Sequence, residues 1–374
     1  MYTCTYKFMI SLKRFCLPAF FISVFYLIGC KRDPSVNERT IPTPPGTSTP
    51  TPYKLQLPAS FPKMKIPVYN PLTEEGVALG RKLFYDPLLS GNNKQSCEGC
   101  HQQNASFVDL NVRLSKGSTG AIGFRNSMPL FNVGYANAWF WDGRAKTLEE
   151  QIFHPITSQM EMNQDPNTIG SELSVNPQYR KMFTDAFGEG EINFDKTAKA
   201  LAQFLRTIIA YTPKSFDTSL LSAAEKRGLF VFNDENKGDC FHCHELGNFM
   251  TNFKFANNGL NIDPTTDQGL ASVTRVGDDL GKFKVPSLIN IKYTAPYMHD
   301  GRFKTLREVL DFYDHGFHYN NQNLSLDGNL IKHVDPFTRK PIPRKWNEQD
   351  KDDLIAFLNG LTDESLLTKS EYSK

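Results

Sequence analysis

The chain has 374 residues, with 42 basic against 40 acidic side chains and a formal charge of +2. So even a balance argues against nucleic acid or a strongly charged partner. The length is enough for an N-terminal leader followed by two domains of ordinary size.

In chain order, Lys7, Lys13 and Arg14 precede an apolar run over residues 15–28, the pattern of a removable export signal and shorter than a membrane span. The run ends in Leu27-Ile28-Gly29-Cys30, which resembles a bacterial lipobox. Residues 1–29 are therefore read as a lipoprotein-type signal peptide and Cys30 as the acylated N-terminus. An unlipidated signal cleaved nearby changes the anchoring but not the exported compartment. Residues 30–56, rich in proline and threonine and poor in apolar side chains, are read as a flexible tether.

Two helices are predicted next, one from Thr73 to Phe84 and one from Ser222 to Phe232. Each opens on a hydroxyl residue with a carboxylate within three positions, an N-cap pattern. Each is followed by a Cys-x-x-Cys-His pentad, Cys97-Glu98-Gly99-Cys100-His101 and Cys240-Phe241-His242-Cys243-His244. That spacing attaches a c-type haem: the thiols form thioethers to the porphyrin, and the histidine reaches the iron. A redox Cys-x-x-Cys and a structural zinc site are the competing readings. Two complete copies weigh against the first. The sequence distance between the pairs and the histidine directly after each second cysteine weigh against the second. Of the seven cysteines, four lie in the pentads, while Cys4 and Cys16 fall in the signal segment. That allocation suits an exported, oxidising compartment, here the bacterial periplasm.

An internal repeat follows. Pro129-Leu130-Phe131-Asn132-Val133-Gly134-Tyr135 and Asp142-Gly143-Arg144-Ala145-Lys146-Thr147-Leu148-Glu149 have counterparts 158 positions later in Ser287-Leu288-Ile289-Asn290-Ile291-Lys292-Tyr293 and Asp300-Gly301-Arg302-Phe303-Lys304-Thr305-Leu306-Arg307. Strand-like alternation is weak throughout. The expected fold is thus mainly α, with two tandem cytochrome c-like haem domains and long loops, over residues 57–215 and 216–374. The 29 phenylalanines and 14 tyrosines suit walls around two flat cofactors. The same offset pairs Trp141 with His299, Gln151 with Val309 and Pro155 with Tyr313. If the last position faces the sixth coordination site, Tyr313 can ligate the second haem, while Pro155 leaves the first one open.

Several motifs together carry a family resemblance: Leu79-Gly80-Arg81-Lys82-Leu83-Phe84, Arg125-Asn126, Phe140-Trp141-Asp142-Gly143-Arg144-Ala145, Glu161-Met162-Asn163, Phe283-Lys284-Val285-Pro286-Ser287-Leu288 and Thr294-Ala295-Pro296-Tyr297-Met298-His299-Asp300-Gly301. The chain resembles the bacterial di-haem cytochrome c peroxidase family, including its methylamine-utilisation (MauG) branch. The resemblance implies a periplasmic enzyme whose N-terminal haem reacts with hydrogen peroxide and whose C-terminal haem takes in electrons. It implies His101 and His244 as proximal ligands, Trp141 as a relay between the haems, and Gln151 and Glu161 as the distal pair that moves a proton on peroxide. Asn126, Thr294 and Pro296 match the family's calcium site, the last two through backbone carbonyls. Family members are often dimers, and no stretch here argues for a homodimer independently.

Two departures stand out. Many family peroxidases carry a capping histidine in the loop before Arg-Asn, and residues 116–123 contain none. Those peroxidases also use methionine as sixth ligand of the second haem, where this chain has Tyr313, as the MauG branch does. An anionic oxygen ligand lowers the potential relative to Met/His ligation. Met298 is the alternative, ranked lower because methionine-ligated relatives share its motif. Three functional classes follow: a peroxidase drawing on a small periplasmic electron donor, a MauG-like oxidase of a partner protein's side chains, and a non-catalytic di-haem electron carrier or redox sensor. The third gives no reason for an open haem under Gln151 and Glu161.

Overall fold

The computed structural model describes residues 49–374, so the signal segment, Cys30 and the first part of the tether lie outside the described residues. The described residues belong to one compact unit and are mainly helical. The helices are α1 Glu74–Phe84, α2 Leu148–Thr157, α3 Ile169–Ser174, α4 Pro177–Phe187, α5 Phe194–Thr207, α6 Ala223–Asn233, α7 Ala271–Thr274, α8 Leu306–Asp311, α9 Gly328–Ile331 and α10 Glu348–Gly360. One short antiparallel pair, β1 Phe255–Ala256 with β2 Phe283–Lys284, aligns Phe255 with Lys284. The chain docks from Thr51, inside the stretch read as tether: Thr51 N donates to Glu75 Oε2 at 2.8 Å and Tyr53 N to the Leu72 carbonyl at 3.0 Å.

Both helices that precede a pentad start as expected. Thr73 caps α1 by accepting from Gly76 N at 3.1 Å, with Glu74 and Glu75 in the first turn and Arg81 and Lys82 in the last, complementing the helix dipole. Ser222 and Glu225 form a reciprocal capping box on α6. α1 then crosses α5, and α6 crosses α10, each at a glycine. A methyl on Gly80 would lie 1.9 Å from the Ala200 carbonyl oxygen, and one on Gly228 would lie 2.0 Å from that of Asp353. The backbones therefore touch, and the flanking apolar faces close into one core that contains Leu79, Leu83, Phe84, Leu201 and Phe204 together with Phe232, Leu354 and Phe357. Alanine at Gly228 gains up to about 1 kcal/mol of helix propensity. It has to push backbone against backbone, an overpacking that costs about 1–3 kcal/mol. We expect Gly228→Ala to lower the denaturation midpoint, and an unchanged or raised midpoint would show that the crossing is looser than this.

The repeat is visible in the backbone. Asn132 and Asn290 both take left-handed φ, 57° and 56°, as do Phe140 and Met298 at 64° and 76°. The bridges Trp139–Ala145 and Tyr297–Phe303 recur at the same offset. The two halves are strapped together across the chain. Tyr85 Oη donates to the Tyr372 carbonyl at 2.6 Å, Tyr372 Oη to that of Thr207 at 2.9 Å, and Arg125 holds Asp267 through two nitrogens at 2.9 and 2.7 Å.

Candidate functional site

The loop after α1 carries Cys97, Cys100 and His101 into the wall of a cavity of about 700 Å³, a volume suited to a cofactor. His101 is oriented from behind: its Nδ1 lies 2.9 Å from the Phe107 carbonyl, so Nδ1 carries the proton and Nε2 keeps its lone pair for a metal. The second pentad repeats the device, with His244 Nδ1 3.4 Å from the carbonyl of Met250, again six residues on. Burial lowers the pKa of both imidazoles, that of His244 to about 4, which keeps them neutral as ligands must be.

Burial also pushes the Cys97 and Cys240 thiols up to about 12. A redox-active Cys-x-x-Cys needs the reverse, a depressed thiol pKa. The four thiols form no disulfide, and among the described residues no three His, Cys, Asp or Glu side chains converge as a metal site would require. Several buried polar atoms find no protein partner, including Ser115 Oγ and the indole nitrogens of Trp139 and Trp346. Native interiors rarely leave such atoms unpaired. Paired thiols beside imidazoles with a free Nε2, and orphaned polar atoms on the cavity-lining residues Ser115 and Trp139, together fit haem.

The cavity brings the expected residues together. Cys97, Cys100, His101, Asn126, Trp141, Gln151, Pro155 and Glu161 all line it. Gln151 and Pro155 stand one helical turn apart on α2, hence on one face. The turn after α2 folds back to present Glu161: Met162 N donates to the Pro155 carbonyl at 3.0 Å, and the loop of residues 116–123 clamps that turn through Ser118 Oγ to the Met162 carbonyl at 2.8 Å and Thr119 Oγ1 to that of Gln159 at 2.8 Å. Burial raises the pKa of Glu161 above the ordinary carboxylate range, with the nearby positive charge of Arg144 pulling the other way. Arg144 was not singled out from the sequence. It is held by Asp142 at 3.1 Å and lies over the Phe140 ring. Trp141 is pinned at both ends, its indole Nε1 donating to the Asn126 carbonyl at 2.9 Å and its carbonyl accepting from Lys284 N at 2.8 Å.

Tyr313 sits on a π-helical turn, Phe312–Gly316, that continues α8. Such single π turns often mark functional positions. It lies in the neighbourhood of Cys243 and Cys240, and burial pushes the phenol up to about 12. Asn258 Nδ2 reaches both the Tyr313 hydroxyl at 3.3 Å and the Met298 sulfur at 3.5 Å, so the two ligand candidates are neighbours. Arg344 ties this turn to the pentad loop, donating to the carbonyls of Tyr313 at 3.0 Å, Lys237 at 3.0 Å and Gly238 at 2.7 Å. Neither Asn258 nor Arg344 belongs to a motif, and no local signal marks them.

The remaining expected residues have definite places. Asn126 donates from its side-chain nitrogen to the carbonyls of Val112 at 3.2 Å and Arg113 at 3.1 Å. His299 is buried and stacks on Phe283 at 3.6 Å, with Nε2 3.9 Å from Asp267. His242 and His333 flank the buried Asp239 carboxylate at 3.2 Å each.

Two histidine-backed thiol pairs, one of them in the wall of a roomy cavity, define a c-type cytochrome. A model of the family described as "Di-haem cytochrome c peroxidase" matches residues 74–225. The chain is similar to the cytochrome-c peroxidase IdrP1 of Pseudomonas sp. (strain SCT), 32% identical over 340 residues that cover 81% of this chain and 85% of that one. It is similar to the methylamine utilization protein MauG of Methylophilus methylotrophus, 33% identical over 82% of this chain and 88% of that protein. Among solved structures, a MauG-like protein associated with microbial copper homeostasis superposes with a TM-score of 0.75 at 32% identity, covering 86% of this chain and 99% of the other. The chain belongs to the di-haem cytochrome c peroxidase family that includes MauG. It is an oxidoreductase of the cytochrome-c peroxidase type. No helix among the described residues is long and apolar enough to cross a membrane.

Proposed function

We propose that this protein reduces hydrogen peroxide to water at its N-terminal site, with electrons passed through its C-terminal site. The observation that carries the reading is the pairing of Glu161 and Gln151 on the wall of the cavity that also contains His101, where Pro155 offers no side-chain ligand. A haem bound at His101 supplies the redox-active iron. The chain's own task is proton management: peroxide, two electrons and two protons give two waters. Glu161, ionised, accepts the proton of the inner peroxide oxygen and returns it to the outer one, while the Gln151 amide orients the substrate. Trp141, held at both ends, relays electrons between the sites.

Tyr313 beside the second pentad and the absence of histidine from residues 116–123 favour a second reading, a MauG-like oxidase that uses peroxide to oxidise side chains of a partner protein. The export signal and Cys30 support a periplasmic protein tethered by lipid, and the duplicated backbone supports haem domains over residues 57–215 and 216–374. Calcium is proposed at Asn126 with the Thr294 and Pro296 carbonyls, which accept no backbone hydrogen bond among the described residues. Steady-state peroxide consumption with a reduced small cytochrome tests the primary reading. Turnover is expected, and none with any one-electron donor would contradict it.

A further inference from the structure

Lys284 is a cation that the proposed chemistry does not use. It lies on β2, in the cavity wall, where it is half-buried. Its Nζ donates to the Ala138 carbonyl at 2.7 Å. An ammonium offers three donors, so one carbonyl leaves it under-used. Burial alone lowers its pKa to about 8, and no carboxylate stands close enough to oppose that.

The other cations around the cavity are already committed or exposed. Arg125 is held by Asp142 at 2.6 Å and Asp267 at 2.7 Å, Arg144 by Asp142, and Lys116 faces solvent. A second, independent observation lies on the same segment. The Trp139 indole nitrogen, one residue from the carbonyl that holds Lys284, is buried without a partner and belongs to a residue lining the cavity. An ammonium buried with a single neutral acceptor is unfavourable unless a further acceptor arrives. An anionic oxygen acceptor supplies the partner that the ammonium lacks, and a carboxylate fits.

We propose that Lys284, held on the cavity wall by the Ala138 carbonyl, is the binding group for a carboxylate of the cofactor in the first site, a haem propionate. The proposal rests on the reading that Cys97, Cys100 and His101 hold a haem. It also gives Lys284 a connecting role, because its backbone N–H holds the Trp141 carbonyl at 2.8 Å while its side chain holds the cofactor. The haem edge and the relay tryptophan then share one anchor.

The test uses the mature holoprotein, with covalent haem counted first and the two haems resolved spectroscopically during a potentiometric titration. Removing a positive charge beside the propionate favours the more positive, oxidised state. Lys284→Met is therefore expected to lower the first haem's midpoint potential and shift its propionate bending band in resonance Raman spectra, with the second haem unmoved. Lys284→Arg is expected to restore most of both. If Lys284→Met fails to mature, Lys284→Gln is read in the same way. A doubly loaded Met or Gln variant with wild-type potential and Raman band overturns the proposal, as does an equal shift at both haems. Wild-type protein that carries haem only at the second pentad overturns the underlying reading, and the proposal with it.

Discussion

Replacing Glu161 by glutamine is expected to slow the reaction with hydrogen peroxide by about 10²- to 10⁴-fold, the range typical of a positioned proton-transfer group. The substitution keeps the size and hydrogen-bonding shape of the side chain and removes only its ability to take a proton. Haem content and the reduction potentials should therefore stay as they are. The wild-type pH profile carries the same information. Burial raises the Glu161 pKa, and the group must be ionised to accept the first proton. Activity is thus lost as pH falls through that raised pKa, and the acid limb of kcat/KM lies above the usual carboxylate range of about 3.9–4.3. An acid limb in the ordinary range, or full activity in Glu161→Gln, would remove Glu161 from the proton path.

Tyr313→Phe should have its largest effect at the other haem. The phenol is buried near both thiols of the second pentad and receives an Asn258 hydrogen bond at 3.3 Å. Binding iron means losing a proton that burial otherwise holds up to about 12, so the metal has to displace it. Phenylalanine keeps the ring and removes the oxygen. The ferric spectrum of the second haem is expected to change and its potential to rise, because an anionic ligand that favours ferric iron has gone. Met298 stands ready beside the same amide, and a thioether-type near-infrared band in the variant would show that it has taken the position. An unchanged spectrum for the second haem would sink tyrosine ligation.

The parts of this site that were readable from sequence are those set by spacing. The pentads, the capped helices before them and the repeat at an offset of 158 depend on near neighbours or on comparing the chain with itself. That comparison paired Pro155, which lies on the cavity wall, with Tyr313, which is buried on a π turn. What escaped depends on contacts between distant segments. Lys284 reaches a carbonyl 146 positions away, Arg344 reaches the pentad loop across more than a hundred residues, and Arg125 joins Asp267 over 142. Each satisfies backbone carbonyls or a single carboxylate, and such partners leave no periodicity or spacing in sequence. The π turn under Tyr313 was likewise not expected from the sequence.

The central proposal is that the first site reacts with peroxide without prior reduction, because Pro155 offers no side-chain ligand and residues 116–123 contain no histidine. Rapid mixing of the fully oxidised protein with one equivalent of hydrogen peroxide, followed by Soret and near-infrared absorption, tests it most directly. An immediate reaction of the diferric protein is expected, and an oxidised state shared by both haems would favour the MauG-like reading. No reaction until one haem has been reduced would contradict it, and would mean that a residue other than those assigned here closes the first site.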